Sequence, residues 1–158
     1  MSTVDLVGQP VPQGSMTCVG RNGFHQLQPD NKRALATWRR LVAKAGEALA
    51  QRGGGKVVGP LAVEVTVTFA RPASVTARER RWPWKKSTGH GDVDKTARAI
   101  LDGLTGPLYA DDAQVCELHV RKVYPDTFEL LNADPGPYVW TTCALDQPGV
   151  SIAVRSLT

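Results

Sequence analysis

LAVEVTVTF, residues 61–69, is the clearest strand in this sequence. Leu61, Val63, Val65, Val67 and Phe69 fall on one side and Ala62, Glu64, Thr66 and Thr68 on the other, the period of two that a pleated strand imposes. Upstream, Leu35, Trp38, Leu41, Val42, Ala45 and Leu49 recur at spacings of three and four. That spacing predicts a helix over about 31–51, with Asp30 as its N-cap and Gly53-Gly54-Gly55 as its end. Downstream, Ala97, Ile100, Leu101 and Leu104 predict a second helix over about 93–104, ended by Gly103 and Gly106-Pro107. Shorter strands are expected at 4–8, 24–27, 114–124 and 150–154. In the third of these Val115 is out of phase with Leu118 and Val120, as a bulge would make it. Residues 9–23 read as loop, 70–91 as a long basic mobile loop, and 125–149 as irregular. Helices interspersed with strands, without regular βαβ alternation, define the class as α+β: a single domain with a small mixed β-sheet packed against two main helices.

The chain has 158 residues and carries a formal net charge of +4. One domain of this size buries roughly two-thirds of the surface its unfolded chain exposes. No apolar run approaches a membrane span, and residues 1–12 lack a basic n-region and an apolar h-region. The expected location is therefore cytoplasmic, with no membrane partner. Ala, Gly and Arg richness points towards a bacterial or phage origin. Cys18, Cys116 and Cys143 form no Cys-x-x-Cys pair, and reduced, partly buried thiols are expected. The charge is unevenly placed. Six Lys/Arg residues (Arg71, Arg78, Arg80, Arg81, Lys85, Lys86) stand against Glu79 alone between positions 71 and 86. Such a stretch attracts a polyanion, nucleic acid first. Trp82 and Trp84 within it are placed to stack on exposed bases, or to pack against the loop's own prolines.

Two acidic pairs flank the second helix: Asp92 and Asp94 in GDVDK, Asp111 and Asp112 in YADDAQV. Hard divalent cations such as Mg²⁺ take oxygen ligands and keep several waters, so a few carboxylates from two places in the chain suffice. At a helix entrance the first residue is not yet helical, which lets Asp92 and Asp94 converge; the same residues also suit capping and the helix dipole. For the second pair to meet the first, the chain must fold back after Gly106. Adjacent strand residues point to opposite faces, so one of Asp111 and Asp112 aims at the metal and the other supports it. Arg98, four residues from both Asp94 and Asp102, can pair with them along one helix face, either as a surface ion-pair ladder or as a cation that orients the carboxylates or binds a phosphate. GGGK at 53–56 lacks Walker spacing and is not a phosphate-binding loop.

GDVDKTARAILDGLTGPLYADDAQVCELHVRK, residues 91–122, resembles the signature of RusA-like Holliday junction resolvases, and GQPVPQGSM with Trp38-Arg39 resembles that family's opening segment. The resemblance implies a homodimeric endodeoxyribonuclease that uses Mg²⁺, with Mn²⁺ as a substitute, to resolve four-way DNA junctions by paired symmetric nicks in recombination and repair. By position, Asp92, Asp94 and Asp112 match its metal-binding acids, with Asp111 beside them. Arg98 falls where many members have a catalytic lysine, and Lys95 where many have asparagine. Arginine keeps the charge but does not release a proton of tunable pKa. On this reading Arg98 and Lys95 stabilise transition-state charge, while Arg71, Arg78, Arg80, Arg81, Trp82, Trp84, Lys85 and Lys86 contact DNA. His90, beside the acids, is a general-base candidate that metal-activated water makes unnecessary. The competing readings are a nuclease for flaps or other branched DNA, an inactive junction-binding module, and a phosphohydrolase of small nucleotides.

Overall fold

The computed structural model describes residues 2–21, 23–84, 92–125, 129 and 138–158. Lys85, Lys86, Gly89, His90, Gly91 and most of 126–137 lie outside the described residues. The architecture is α+β, with a mixed four-stranded sheet, a separate two-stranded ribbon and two helices.

Strand β1 is Ser2–Val7, and β2 (Met16–Arg21) and β3 (Phe24–Pro29) pair antiparallel as the ribbon. Helix α1 is Lys32–Arg52, followed by β4 (Leu61–Thr68), helix α2 (Val93–Leu104), β5 (Val115–Val123) and β6 (Gly149–Ser156). The sheet order is β1-β6-β4-β5, with β4 parallel to β5 and antiparallel to β6. Strand β2 lies inside the stretch 9–23 that reads as loop: its glycine and its exposed Met16 and Val19 give no one-sided alternation, because the ribbon packs little against the body. The N-cap of α1 is Asn31, not Asp30, and it makes no capping hydrogen bond. Its amide donates instead to the carbonyl of Pro12 at 2.9 Å, which ties the 9–15 segment to the helix. Among the described residues all three cysteines are free, and Cys18 and Cys116 are exposed rather than partly buried.

Val63, Val65 and Val67 face Trp38, Val42, Ile100 and Leu104 in one apolar core beneath the helices. The opposite face of β4 is buried too, since all eight strand residues are inaccessible. What covers it is the irregular segment from Tyr138 onward. Glu64, 3% exposed, accepts at one oxygen from the Thr141 and Thr142 backbone N–H groups (2.6 Å each) and the Thr142 hydroxyl (2.9 Å). Its other oxygen accepts from the Tyr138 hydroxyl at 3.1 Å. Arg121 donates to Thr66 Oγ1 and to the Thr142 carbonyl, at 2.7 Å each, and stacks over Trp140. Burial lowers the Arg121 pKa, opposed by the nearby Glu64 carboxylate. A buried carboxylate is tolerated here because each oxygen has donors.

The β4–β5 pairing carries a register shift. Leu61 aligns with Val115, but Ala62 aligns with Glu117, so Cys116 is the extra residue of a bulge. Beyond it Leu118, Val120 and Lys122 sit opposite Val63, Val65 and Val67, on the helix side, while His119 and Arg121 join Glu64 and Thr66 on the other.

Glu64→Ala would leave two backbone N–H groups and two hydroxyls without their acceptor. It is expected to cost about 3 kcal/mol, a fall in melting temperature of about 10 °C, with Glu64→Gln losing much less. Thermal and guanidinium unfolding check this, and a loss below about 1 kcal/mol for Glu64→Ala would remove the network's claimed role.

Candidate active site

Helix α2 presents Asp92 and Asp94 at its entrance, both exposed. Asp92 is extended (φ −77°, ψ 165°) and its side chain makes no capping hydrogen bond. Its carbonyl does the structural work, accepting from the backbone N–H and the hydroxyl of Thr96 at 3.0 Å each. The Asp92 carboxylate is thus not consumed by capping.

The helix is seated closely. A Cβ at Gly103 would come within 2.9 Å of Val42 and 3.2 Å of the Arg39 carbonyl, so glycine there permits the close approach of α1. The Gln13 backbone N–H donates to the Lys95 carbonyl at 2.9 Å, and Arg39 donates to the Gln13 side chain at 2.7 Å. Arg39 also forms an ion pair with Asp102. This corrects the ladder reading of Arg98 with Asp102. The adjacent helix offers Asp102 a half-buried arginine, which outcompetes a solvated one on the same helix. Arg98 is exposed and forms no ion pair with a described residue.

The chain does fold back after Gly106, yet the return strand delivers a different residue to the acids. Val93, Asp94, Ala97, Leu118 and Val120 line one shallow groove between α2 and β5. Lys122, next along the same face of β5, is half-buried and within electrostatic reach of Asp92 and Asp94. Burial lowers its pKa, while the carboxylates of Asp92 and then Asp94 raise it. Asp112 stands at the other end. It lies near Tyr109, whose hydroxyl donates to the Leu101 carbonyl at 3.0 Å. Burial drives the Tyr109 pKa up, and the charges of Asp112 and Asp102 push the same way. Helix α2, at 12 residues, is about 18 Å long, and among the described residues Asp112 does not join Asp92 and Asp94 in a group able to hold a metal.

Asp111 and Asp112 are also not strand residues. Asp111 caps a short 3-10 turn, Asp112–Gln114, accepting from the Ala113 N–H at 2.9 Å, while Gln114 accepts from the Asp111 N–H at 3.2 Å. Gln114 further donates to the carbonyls of Val57 and Gly59. The divergence of the two acids therefore comes from a capping box rather than from strand pleating.

The basic segment meets the end of β5. Trp84 makes an isolated bridge with Val123, and Tyr124 N–H donates to the Pro83 carbonyl at 2.9 Å. Arg71 stacks over the Tyr124 ring at 4.1 Å and donates to the Trp82 carbonyl. Arg78, Arg80 and Arg81 are exposed, as are Trp82 (41%) and Trp84 (47%).

Among the described residues no group of three or more Asp, Glu, His or Cys side chains gathers closely enough to hold a metal. Asp92 and Asp94 alone fit a hard cation that keeps most of its waters: two exposed oxygen donors at one helix entrance. No helix among the described residues is long and apolar enough to cross a membrane. Sequence reasoning missed Lys122, whose placement required counting the bulge, and the Arg39–Gln13 brace, which joins residues far apart in the chain.

The sequence is similar to known proteins. The family model of the endodeoxyribonuclease RusA matches residues 8–130. Over 127 residues, 77% of the chain and 86% of the relative, the sequence is 30% identical to the uncharacterized protein YqaN of Bacillus subtilis (strain 168). The chain belongs to the RusA endodeoxyribonuclease family. It is thereby an endonuclease of the Holliday junction class, in a family that acts on branched DNA and generally depends on a divalent metal.

A double-mutant cycle separates the observed ion pair from the ladder reading. Arg39→Ala with Asp102→Ala should show a coupling of about 1 kcal/mol, and Arg98→Ala with Asp102→Ala less than about 0.3 kcal/mol, in chemical denaturation. Equal couplings would contradict the placement of Arg39.

Proposed function

We propose that this chain is a Mg²⁺-dependent structure-specific endodeoxyribonuclease that resolves four-way DNA junctions by paired symmetric nicks. The observation that carries the reading is the pair Asp92 and Asp94, exposed at the entrance of α2, together with a basic aromatic arm that meets the end of β5 at Val123. Asp92 and Asp94 hold the metal, with Mn²⁺ as a substitute. Bound there, the metal supplies charge neutralisation at the scissile phosphate and lowers the pKa of the attacking water. Hydrolysis joins the water oxygen to phosphorus and breaks one phosphorus–deoxyribose oxygen bond; the attacking water gives up a proton to solvent and the leaving sugar oxygen takes one up. Arg98, exposed on α2, supplies positive charge to the phosphate, and Lys95 adds to it from the same turn. Arg78, Arg80, Arg81, Trp82, Trp84, Lys85 and Lys86 track the DNA, with the arginines and lysines on phosphates and the tryptophans on unstacked bases. Arg71, engaged with Tyr124 and Trp82, holds the arm in place while lending it charge.

Asp112 completes the metal-binding set from a second copy of the chain. Within one protomer, among the described residues, it does not join Asp92 and Asp94 in a group able to hold a metal, and a two-fold dimer brings the unlike ends of two protomers together. Asp111 shapes the turn that carries Asp112. Two equivalent shared sites suit the two-fold symmetry of a four-way junction, and the location that suits this work is the cytoplasm.

The test is cleavage of labelled four-way junction, flap, duplex and single-stranded DNA with Mg²⁺ or with EDTA. Paired nicks in the junction alone, abolished by EDTA, are expected; cutting of every substrate would sink junction specificity. Binding without cleavage would establish an inactive module instead. Asp94→Asn and Asp112→Asn should each lose about 100-fold or more in rate, the scale on which a single transition-state-stabilising group is felt. Mixed and refolded together, the two variants should regain nicking, because one of the two shared sites is then intact. A mixture as inert as its parts would rule out sharing.

A further inference from the structure

We propose that Lys122 is a further catalytic residue, whose ammonium, held by β5 beside Asp92 and Asp94, receives a non-bridging oxygen of the phosphate being cut. The inference rests on the reading of those two aspartates as the metal-holding pair.

Its basis is the register of the sheet. Lys122 pairs with Val67, and Val67 lies in the apolar core beneath the helices. Leu118 and Val120, two and four residues earlier on the same face, line the groove that Asp94 enters. The next side chain along that face is Lys122, and it is half-buried. Burying part of an ammonium is costly unless anionic groups face it. Asp92 and Asp94 are carboxylates that act on it. A surface lysine serving solubility has no need of this position.

The charges then balance in a useful way. Asp92, Asp94 and the Asp112 of a second copy, against one ammonium, leave a net charge of −2, which attracts a dication. With a dication seated the group is neutral, and without Lys122 it would carry a negative charge that repels a phosphodiester. Arg98 adds to this from an exposed helix position, where water screens it. Lys122 acts from a strand paired along its length with β4 and from lower dielectric, so its charge is stronger and needs little reorganisation. A lysine also suits the role sterically, being a compact point charge rather than a broad fork. The docking of Trp84 on Val123, the next residue, lays the DNA-contacting arm alongside the same point. A phosphate backbone following the arm is led to Lys122.

The test uses the full chain carrying Lys122→Gln, Lys122→Arg and, as a control, Asp94→Asn. Lys122→Met, which keeps the length of the stem, replaces Lys122→Gln if the latter melts early. Three quantities are read: single-turnover junction cleavage at saturating Mg²⁺, junction affinity in EDTA, and Mg²⁺ affinity by calorimetry without DNA. Lys122→Gln is expected to slow cleavage by about 100-fold while Mg²⁺ binds at least about threefold tighter, because a like charge has been removed. Lys122→Arg should recover much of the rate. The opposed signs distinguish a catalytic cation from a structural prop, whose loss would weaken metal binding and cleavage together. Cleavage by Lys122→Gln within about threefold of the parent, or loss of Mg²⁺ binding in step with rate, overturns the proposal. If Asp94→Asn is inert while Lys122→Gln is fully active, the metal assignment stands and the Lys122 assignment falls. If Asp94→Asn is fully active, the underlying metal assignment fails.

Discussion

The central constraint on this molecule is that β4 is buried on both faces and paired on both edges. A strand with no exposed side admits no slip: moving it by one residue would carry Val63, Val65 and Val67 out of the apolar layer and drive Glu64 into it. Its neighbours inherit that rigidity. Strand β6 aligns with it antiparallel along its whole length, and β5 aligns parallel. The helix side is conventional, aliphatic on aliphatic. The other side is unusual in being polar and dry, with Glu64, Thr66 and Thr68 each engaged by the 138–145 segment. The sheet is thus held from one side by area and from the other by directional bonds, and each specifies the same register.

Everything at the candidate site hangs from that frame. Helix α2 is long enough to part the two acidic pairs, and it is fixed at several places. Gly103 lets α1 come close, Arg39 takes Asp102, and Gln13 of the PVPQ segment reaches the first turn beside Asp94. The N-terminal segment is thereby part of the site's scaffold although it carries none of its chemistry. Ordering of this kind lets exposed carboxylates hold a position without being buried, as a hydrated cation requires.

The legible parts of the sequence were those with a strong period. LAVEVTVTF and the two helices announced themselves because one face of each is apolar, and their observed bounds match the expected ones to within one residue. The carboxylates at GDVDK were legible as a pair at a helix entrance. Three things were not. The ribbon Met16–Arg21 with Phe24–Pro29 was half hidden, since little of it is buried and so nothing selected a one-sided pattern. The cover on Glu64 was hidden because a buried glutamate between valine and valine reads as the polar side of a half-exposed strand. The partner of Asp102 was hidden because the closest candidate along the chain, Arg98, lost to one from another helix. Long-range pairing of polar residues leaves no periodic trace, and that is where reading ran out.

The bulge at Cys116 has a consequence that side-chain chemistry does not express. Arg121 and Lys122 are neighbouring cations with opposite assignments, one braced against Glu64 and Thr142, the other turned towards the acids. What distributes them is the parity of a residue count between the Asp111–Gln114 turn and the end of β5. Point substitutions along that stretch leave the parity intact, whereas a single deletion would exchange the two cations between the faces of the sheet. Related chains are therefore free to drift in composition across 115–120 while remaining intolerant of any change in its length. An alignment that places a one-residue gap there would mark either a misplaced column or a protein whose site has been rebuilt.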